Sequence, residues 1–301
     1  MNKPKPFTAL HGQSSPCSFD EKPKMDRVKF RLQFPARCRR FAMLLTLLGV
    51  ATTSGDLVAQ SPPFVTGPVE NPGLKRFNRS ITFYLGFEGT LQADLATGSP
   101  DPRSVKGAPE FVPGIFGKAL GLKATDFMYL DYATLDNLDV RKPGALAMWT
   151  AARNWVRGDE EGYFWPAKIM SNGVQLMFGR QGQLLNPTRR TDMLYLWTQI
   201  GSTKDFSISH GDSLKWNNGE WHLWVMNWRA NSVEFSMDGG PPQRHDTPAP
   251  FHPAGDTAGS LILGQQGPAT AYLMDEVIVF DRPLSEDEIK WMHEKGMKTK
   301  E

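Results

Sequence analysis

Cysteine is nearly missing from this sequence: its 301 residues hold only Cys17 and Cys38. Beyond residue 38 there is therefore no disulfide, no thiolate metal site and no cysteine nucleophile, and that part of the chain must hold together through its core alone. A membrane-spanning run is missing as well. The apolar stretch Phe41 to Val50 is half the roughly 20 residues that a spanning helix needs. Charge of one sign is also scarce, with 34 Lys and Arg against 32 Asp and Glu.

What stands around Phe41 to Val50 has the layout of a secretory leader. Arg31, Arg37, Arg39 and Arg40 precede it, and small and polar residues follow from Ala51 to Gly55 and on to Ala59. Residues 1–59 are read as this leader, with cleavage after Ala59, Gly55 as the alternative site, and Met25 as an alternative start. The pair Arg39-Arg40 offers a twin-arginine route, against which stands the apolar Phe41 directly after it. The expected destination is secreted, periplasmic or cell-surface, with no membrane span in the mature chain. The leader through Ala59 carries ten basic and four acidic residues, so 24 basic and 28 acidic residues remain, a mature chain near −4. Such a balance leaves no electrostatic footprint for nucleic acid.

Residues 60–79, rich in Pro, Gly and Asn, read as a linker or extended arm. From residue 80 to 296 short strands follow. Ile81, Phe83, Leu85 and Phe87 alternate with polar or small residues, as do Leu146 and Met148, then Val174, Leu176 and Phe178, then Val233, Phe235 and Met237. The run Trp221 to Trp228 is apolar on both alternating sets and predicts a strand covered on both faces. Gly182 and Asp238-Gly239-Gly240 suit hairpin turns. Long loops are expected at Leu91 to Pro113, Arg153 to Ala167 and Pro241 to Gly259. Near the end, Ser285 and Glu288 spell a capping box, Leu284 and Ile289 its hydrophobic staple, and Gly296 a left-handed stop. Ile289, Met292 and Trp291 should dock this helix as a lid, leaving a tail at 297–301.

The string Met274-Asp275-Glu276-Val277-Ile278-Val279-Phe280-Asp281-Arg282-Pro283-Leu284-Ser285 closely resembles the closing strand and helix of laminin-G-like, concanavalin A-like jelly-roll domains of bacterial secreted proteins. Phe87-Glu88-Gly89 with Asp94, the stretch Phe111 to Leu120, Gly219-Glu220-Trp221-His222, Ser236-Met237-Asp238-Gly239 and Leu261-Ile262-Leu263-Gly264 resemble further motifs of that family in the right order. The resemblance implies an all-β fold: a two-sheet antiparallel jelly-roll β-sandwich with a short C-terminal helix. It implies function only broadly, since the superfamily includes glycan-binding modules, adhesion domains, glycosidases and polysaccharide lyases. Asp275-Glu276 is expected to tie the last strand to the loops through hydrogen bonds, with the two side chains on opposite faces.

Catalytic patterns are sparse. Glycoside hydrolysis needs two carboxylates flanking the scissile bond, and the Glu-x-Asp-x-x-Glu strand that supplies them in glycosidases of this fold does not occur. Gly211-Asp212-Ser213-Leu214 spells an esterase signature, but it lies mid-chain among strands and no Asp-x-x-His follows. His210, His222, His245, His252 and His293 show no metal-ligand spacing, and His222 is expected as a packed strand residue. Calcium is the cofactor that loops of this fold suit, and Asp94, with Asp101 behind it, is the candidate ligand.

Aromatic residues are the positive signal, with nine Trp in the chain. Sugars stack their apolar faces on such rings while polar groups fix orientation. Trp155, Tyr163 and Trp165 lie in a long polar loop with Arg157, and Trp197 follows a different alternation from Leu194 and Leu196. These five residues are the candidate ligand site. The competing reading is that the rings pack the loop onto the sandwich. The expected function is a secreted non-catalytic lectin-like module recognising glycan, such as a cell-surface polysaccharide, or protein. The alternatives are a divergent glycosidase or polysaccharide lyase, and a structural or adhesion module without a sugar site.

Overall fold

The computed structural model describes residues 64–65, 71–77, 79–123, 128–153, 163–171, 173–181, 193–201, 203–209, 216–247, 250–251, 259–264 and 271–296. The described strands, in chain order, are β1 (Phe64–Val65), β2 (Ile81–Leu85), β3 (Leu95–Ala96), β4 (Ser104–Lys106), β5 (Glu110–Pro113), β6 (Lys118–Leu122), β7 (Tyr129–Ala133), β8 (Gly144–Ala152) and β9 (Tyr163–Phe164). They continue as β10 (Ala167–Ser171), β11 (Val174–Gln181), β12 (Met193–Ile200), β13 (Thr203–Ser209), β14 (Trp221–Arg229), β15 (Ser232–Met237), β16 (Gln243–Asp246), β17 (Gly259–Gly264) and β18 (Tyr272–Phe280). All pair antiparallel in two sheets. One, of ten strands, runs β1-β3-β2-β18-β8-β14-β15-β16 with β5 and β6 beside β18; the other, of eight, runs β13-β12-β11-β10-β17-β7-β4 with β9 beside β11. This is the jelly-roll sandwich expected from the sequence.

Alternation decides which side chains meet between the sheets. Leu146, Met148, Trp224, Met226, Val277 and Val279 point inward from the ten-stranded sheet and meet Ile169, Leu176, Phe178, Leu196 and Leu261 of the other. Each such side chain, fully buried, contributes roughly 1.5–3 kcal/mol. The opposite residues of the ten-stranded sheet, among them Ala147, Leu223, Val225 and Ile278, do not face water. They form a second apolar layer with Leu74, Phe77, Leu284, Ile289 and Met292. That double burial explains why β8 is buried at every position and why Trp221–Arg229 is apolar on both sets.

The covering layer comes from the two ends of the described chain. Helix α1 (Glu286–Trp291) carries the expected capping box, with Ser285 Oγ accepting from Glu288 N, and runs on as a π-helical turn, Met292–Gly296. Ile289 and Met292 are buried as expected, and Trp291 meets Phe77 edge to face at 5.7 Å. Within the stretch read as a linker, Pro72–Arg76 forms a 3-10 helix, and Leu74 and Phe77 are buried against the sheet. The Pro and Gly that suggested a loose arm shape one tight turn, and its two apolar residues supply the packing.

The expected loops also contain strands. β3, β4 and β5 lie within Leu91 to Pro113, and β16 lies within Pro241 to Gly259. β4 and β16 are short, polar and at sheet edges, with burial patterns that carry no alternation; backbone pairing with a neighbour holds such strands, so the side chains carry no signal. Asp238 and Gly239 adopt positive φ in the expected hairpin turn. Gly182, the leader and Gly211-Asp212-Ser213-Leu214 lie outside the described residues.

One correction concerns Asp275 and Glu276. Their pairing register with β8 shifts between Asp275 and Ile278, and Glu276 has φ 52°. Met274 and Val277 both point into the inter-sheet core. The bulge therefore turns both carboxyls to the same outer side instead of to opposite faces.

Candidate functional site

Because both terminal segments lie on the ten-stranded sheet, the outer face of the eight-stranded sheet has no described helix upon it. Its composition follows from the pleat. In β12, Leu194, Leu196 and Thr198 are buried, whereas Tyr195, Trp197 and Gln199 are half-buried on the opposite side. Pairing then lines up one row across the sheet. Trp197 stands opposite Met177, Met177 opposite Lys168, Lys168 opposite Ile262, and Ile262 opposite Asp131. With neighbouring strands about 4.8 Å apart, this row is roughly 19 Å long.

The aromatic end of the row is held in place. Trp165 Nε1 donates to Tyr195 Oη at 2.8 Å. Tyr195 lies against Gly179, its cross-strand partner, so closely that a Cβ there would come within 2.4 Å of the ring carbon Cζ. Burial raises the Tyr195 phenol above its usual value, with the Trp165 hydrogen bond acting against it, so the hydroxyl is neutral at physiological pH and keeps a proton to donate. Burial among apolar neighbours also lowers the Lys168 ammonium from its usual range. At the other end Arg103 Nη2 donates to Asp131 Oδ1 at 2.7 Å and to Ser260 Oγ at 2.6 Å. Aromatic faces, thioether, amides and one ion pair on one face of a sheet suit stacking plus hydrogen bonding to a polyhydroxyl ligand.

Of the residues expected at the site, Trp165 and Trp197 belong to this face, and Tyr163 lies in β9, whose backbone pairs with Gln181 at the end of β11. Trp155 and Arg157 lie outside the described residues. Tyr195, Met177 and Lys168 were not expected; the alternation Leu194-Tyr195-Leu196-Trp197 carried the signal for Tyr195.

Other carboxylates are engaged in structure. Asp275 accepts from Ile115 N at 3.0 Å, Phe116 N at 3.3 Å and Glu276 N at 2.8 Å, so it ties the last strand to the loop after β5. Glu276 accepts from Asn71 Nδ2 at 2.6 Å and Tyr84 Oη at 2.8 Å. Both carboxyls are fully buried; burial and, for Asp275, the neighbouring Glu276 charge raise them well above the usual range. Asp94, the candidate calcium ligand, accepts from Gly86 N at 2.9 Å. Asp101 accepts from Gln92 Nε2. Among the described residues no group of three or more His, Cys, Asp or Glu side chains is placed to hold a metal ion. His222 is a packed strand residue, stacked on Trp216 at 3.8 Å with Nδ1 2.8 Å from Asp238 Oδ2.

A sequence profile described as the concanavalin A-like lectin/glucanases superfamily matches residues 131–290. The chain belongs to that superfamily. Solved structures similar to this superfamily member include receptor-binding domains of botulinum neurotoxins. One concerns cell entry of botulinum neurotoxin type C in dependence on two ganglioside molecules; it shares 12% identity and a TM-score of 0.57, covering 75% of this chain and 53% of that one. Another is the binding domain of botulinum neurotoxin DC in complex with rat synaptotagmin II, with 11% identity, a TM-score of 0.55, and 73% and 52% coverage. This chain thus spans about half the length of the domains it matches, and the likeness is one of fold. No curated protein matches the chain.

Proposed function

We propose that this concanavalin A-like domain is a secreted, non-catalytic module that recognises glycan through the outer face of its eight-stranded sheet. The observation that carries the reading is the row from Trp197 to Asp131, with Tyr195 and Trp165 locked beside it on a face with no described helix over it. Neighbours of the same fold are described with gangliosides and with a protein receptor, which supports recognition as the role of this face. Asp131 is the one carboxylate among the described side chains of that face, and it is paired with Arg103; a hydrolase of glycosides uses two. The basic stretch before Phe41 to Val50 and the small residues after it support export. A glycan-array screen of the protein and its Trp197→Ala variant, with and without calcium, tests the reading. Binding that the variant loses supports it, and binding that the variant keeps places the ligand elsewhere.

A further inference from the structure

The other side of the sandwich carries a feature that neither the fold nor the aromatic face accounts for. The 3-10 helix Pro72–Arg76 ends in Lys75 and Arg76, and Arg79 follows before β2. These cations line a groove with Arg282 and Asp281 from the turn after β18. Two of the guanidinium groups are fixed. Arg76 lies 4.9 Å from the centre of the Trp291 ring and 5.9 Å from that of Phe77. Arg282 is clamped on Glu288 through Nη1 at 2.8 Å and Nη2 at 2.7 Å. Lys75 and Arg79 are exposed and have no carboxylate partner among the described residues.

Asp281 also lines a cavity of about 260 Å³ between β2, the Leu135 to Pro143 loop, Ser171 and the end of β18. Lys142 and Arg141 stand there, Arg141 committed to Asp139 by two hydrogen bonds. Groove and cavity share Asp281 in their linings, and six basic side chains line the two, against the acidic Asp136, Asp139 and Asp281. This reverses the sign of the chain, in which acidic residues outnumber basic ones from residue 60 onward. Packing explains Arg76 and Arg282, whereas Lys75 and Arg79 have no ion pair among the described residues. Guanidinium groups held rigid, with ammonium and guanidinium neighbours left open, are the arrangement that recognises sulfate and carboxylate.

We propose that this groove binds an acidic polysaccharide, its sulfate or uronate carboxylate groups meeting Lys75, Arg76, Arg79 and Arg282. The site lies on the covered, ten-stranded side of the sandwich and is independent of the aromatic face. A polysaccharide fits better than a membrane. Among the described residues no exposed large apolar side chain lines the groove, and a peripheral membrane anchor needs a broad apolar face in addition to charge.

The test uses the full chain and measures affinity for dextran sulfate, polygalacturonate, neutral dextran and vesicles of phosphatidylserine with phosphatidylcholine. The expected result is binding to at least one of the two polyanions, weakening as salt rises, with neutral dextran unbound. The K75Q/R79Q variant should lose at least tenfold in affinity at unchanged Tm, and K75R/R79K should retain binding. Trp197→Ala should leave polyanion binding intact, which separates failure of this site from failure of the sheet face. Equal affinity of K75Q/R79Q and the unaltered protein overturns the proposal, as does the lack of binding to both polyanions, or binding to the vesicles alone.

Discussion

Asn71 donates its side-chain amide to Glu276 at 2.6 Å, across 205 positions of sequence. The bond closes the first described helix onto the last strand, at a carboxyl with no solvent contact. Glu276 and Asp275 are neighbours on one side of a bulge with no Lys or Arg bonded to either among the described residues, so the pair favours retaining a proton.

That arrangement fixes the sign of a pH dependence. Both carboxyls are raised in the fold above their unfolded values, so their contribution is complete below the ordinary carboxylate range and is lost as pH rises through the raised values. Thermal unfolding followed from pH 5 to 9 should show a steeper alkaline loss for the unaltered protein than for Glu276→Gln, which removes the charge and whose amide oxygen still accepts one of the two hydrogen bonds from Asn71 and Tyr84. Parallel curves for the two would refute the retained proton.

Arg282 and the Ser285 backbone hold Glu288 down to about 2, the reverse case. This stabilisation is present above the ordinary carboxylate range and is lost as pH falls towards 2. Ser285→Ala removes the hydroxyl that accepts from Glu288 N and should cost about 0.5–2 kcal/mol in urea unfolding. Affinity for a glycan at the aromatic face should not change; a drop at constant stability would mean that the helix takes part in binding there.

Trp197→Ala should weaken sugar binding by about 1–2 kcal/mol, by analogy with aromatic contacts elsewhere, and barely move Tm, since the ring stands on the outer face. Trp224→Ala is the contrast. That ring is fully buried between the sheets and its Nε1 donates to Thr150, so roughly 3–5 kcal/mol of stability should go. Calorimetric titration and unfolding on both variants check the pair.

Gly179→Ala tests whether the aromatic end of the face is preorganised. The added methyl would sit where the Tyr195 ring now lies, so Tyr195 must swing away and release Trp165. The expected outcome is a changed Trp fluorescence and a loss of glycan affinity of roughly tenfold, or about 1.4 kcal/mol. Unchanged affinity would show that Tyr195 does not touch the ligand.

Much of this was legible in the sequence where a side-chain pattern reflects burial. Leu194 and Leu196 against Trp197 gave the faces of β12, Trp221 to Trp228 gave a strand buried on both sides, and Ser285 with Glu288 gave the helix start. The remainder depends on partners distant in sequence. The bulge that turns Glu276 towards Tyr84 and Asn71 has no local mark, because nothing near Glu276 demands a positive φ. β4 and β16 are edge strands whose pairing is carried by the backbone. Lys168 and Met177 become part of an aromatic row only once β10, β11 and β12 are in register.

The position of β18 sets the order in which the molecule can be completed. It lies in the middle of the ten-stranded sheet, hydrogen-bonded to β2 and β6 on one side and β8 on the other, although it is the last strand of the chain described. A nascent chain that has reached only β17 therefore has two half-sheets with open, apolar edges facing a gap. These non-local pairings slow the search for the native state, and cutting the gene anywhere before Tyr272 should yield insoluble protein instead of a smaller folded domain.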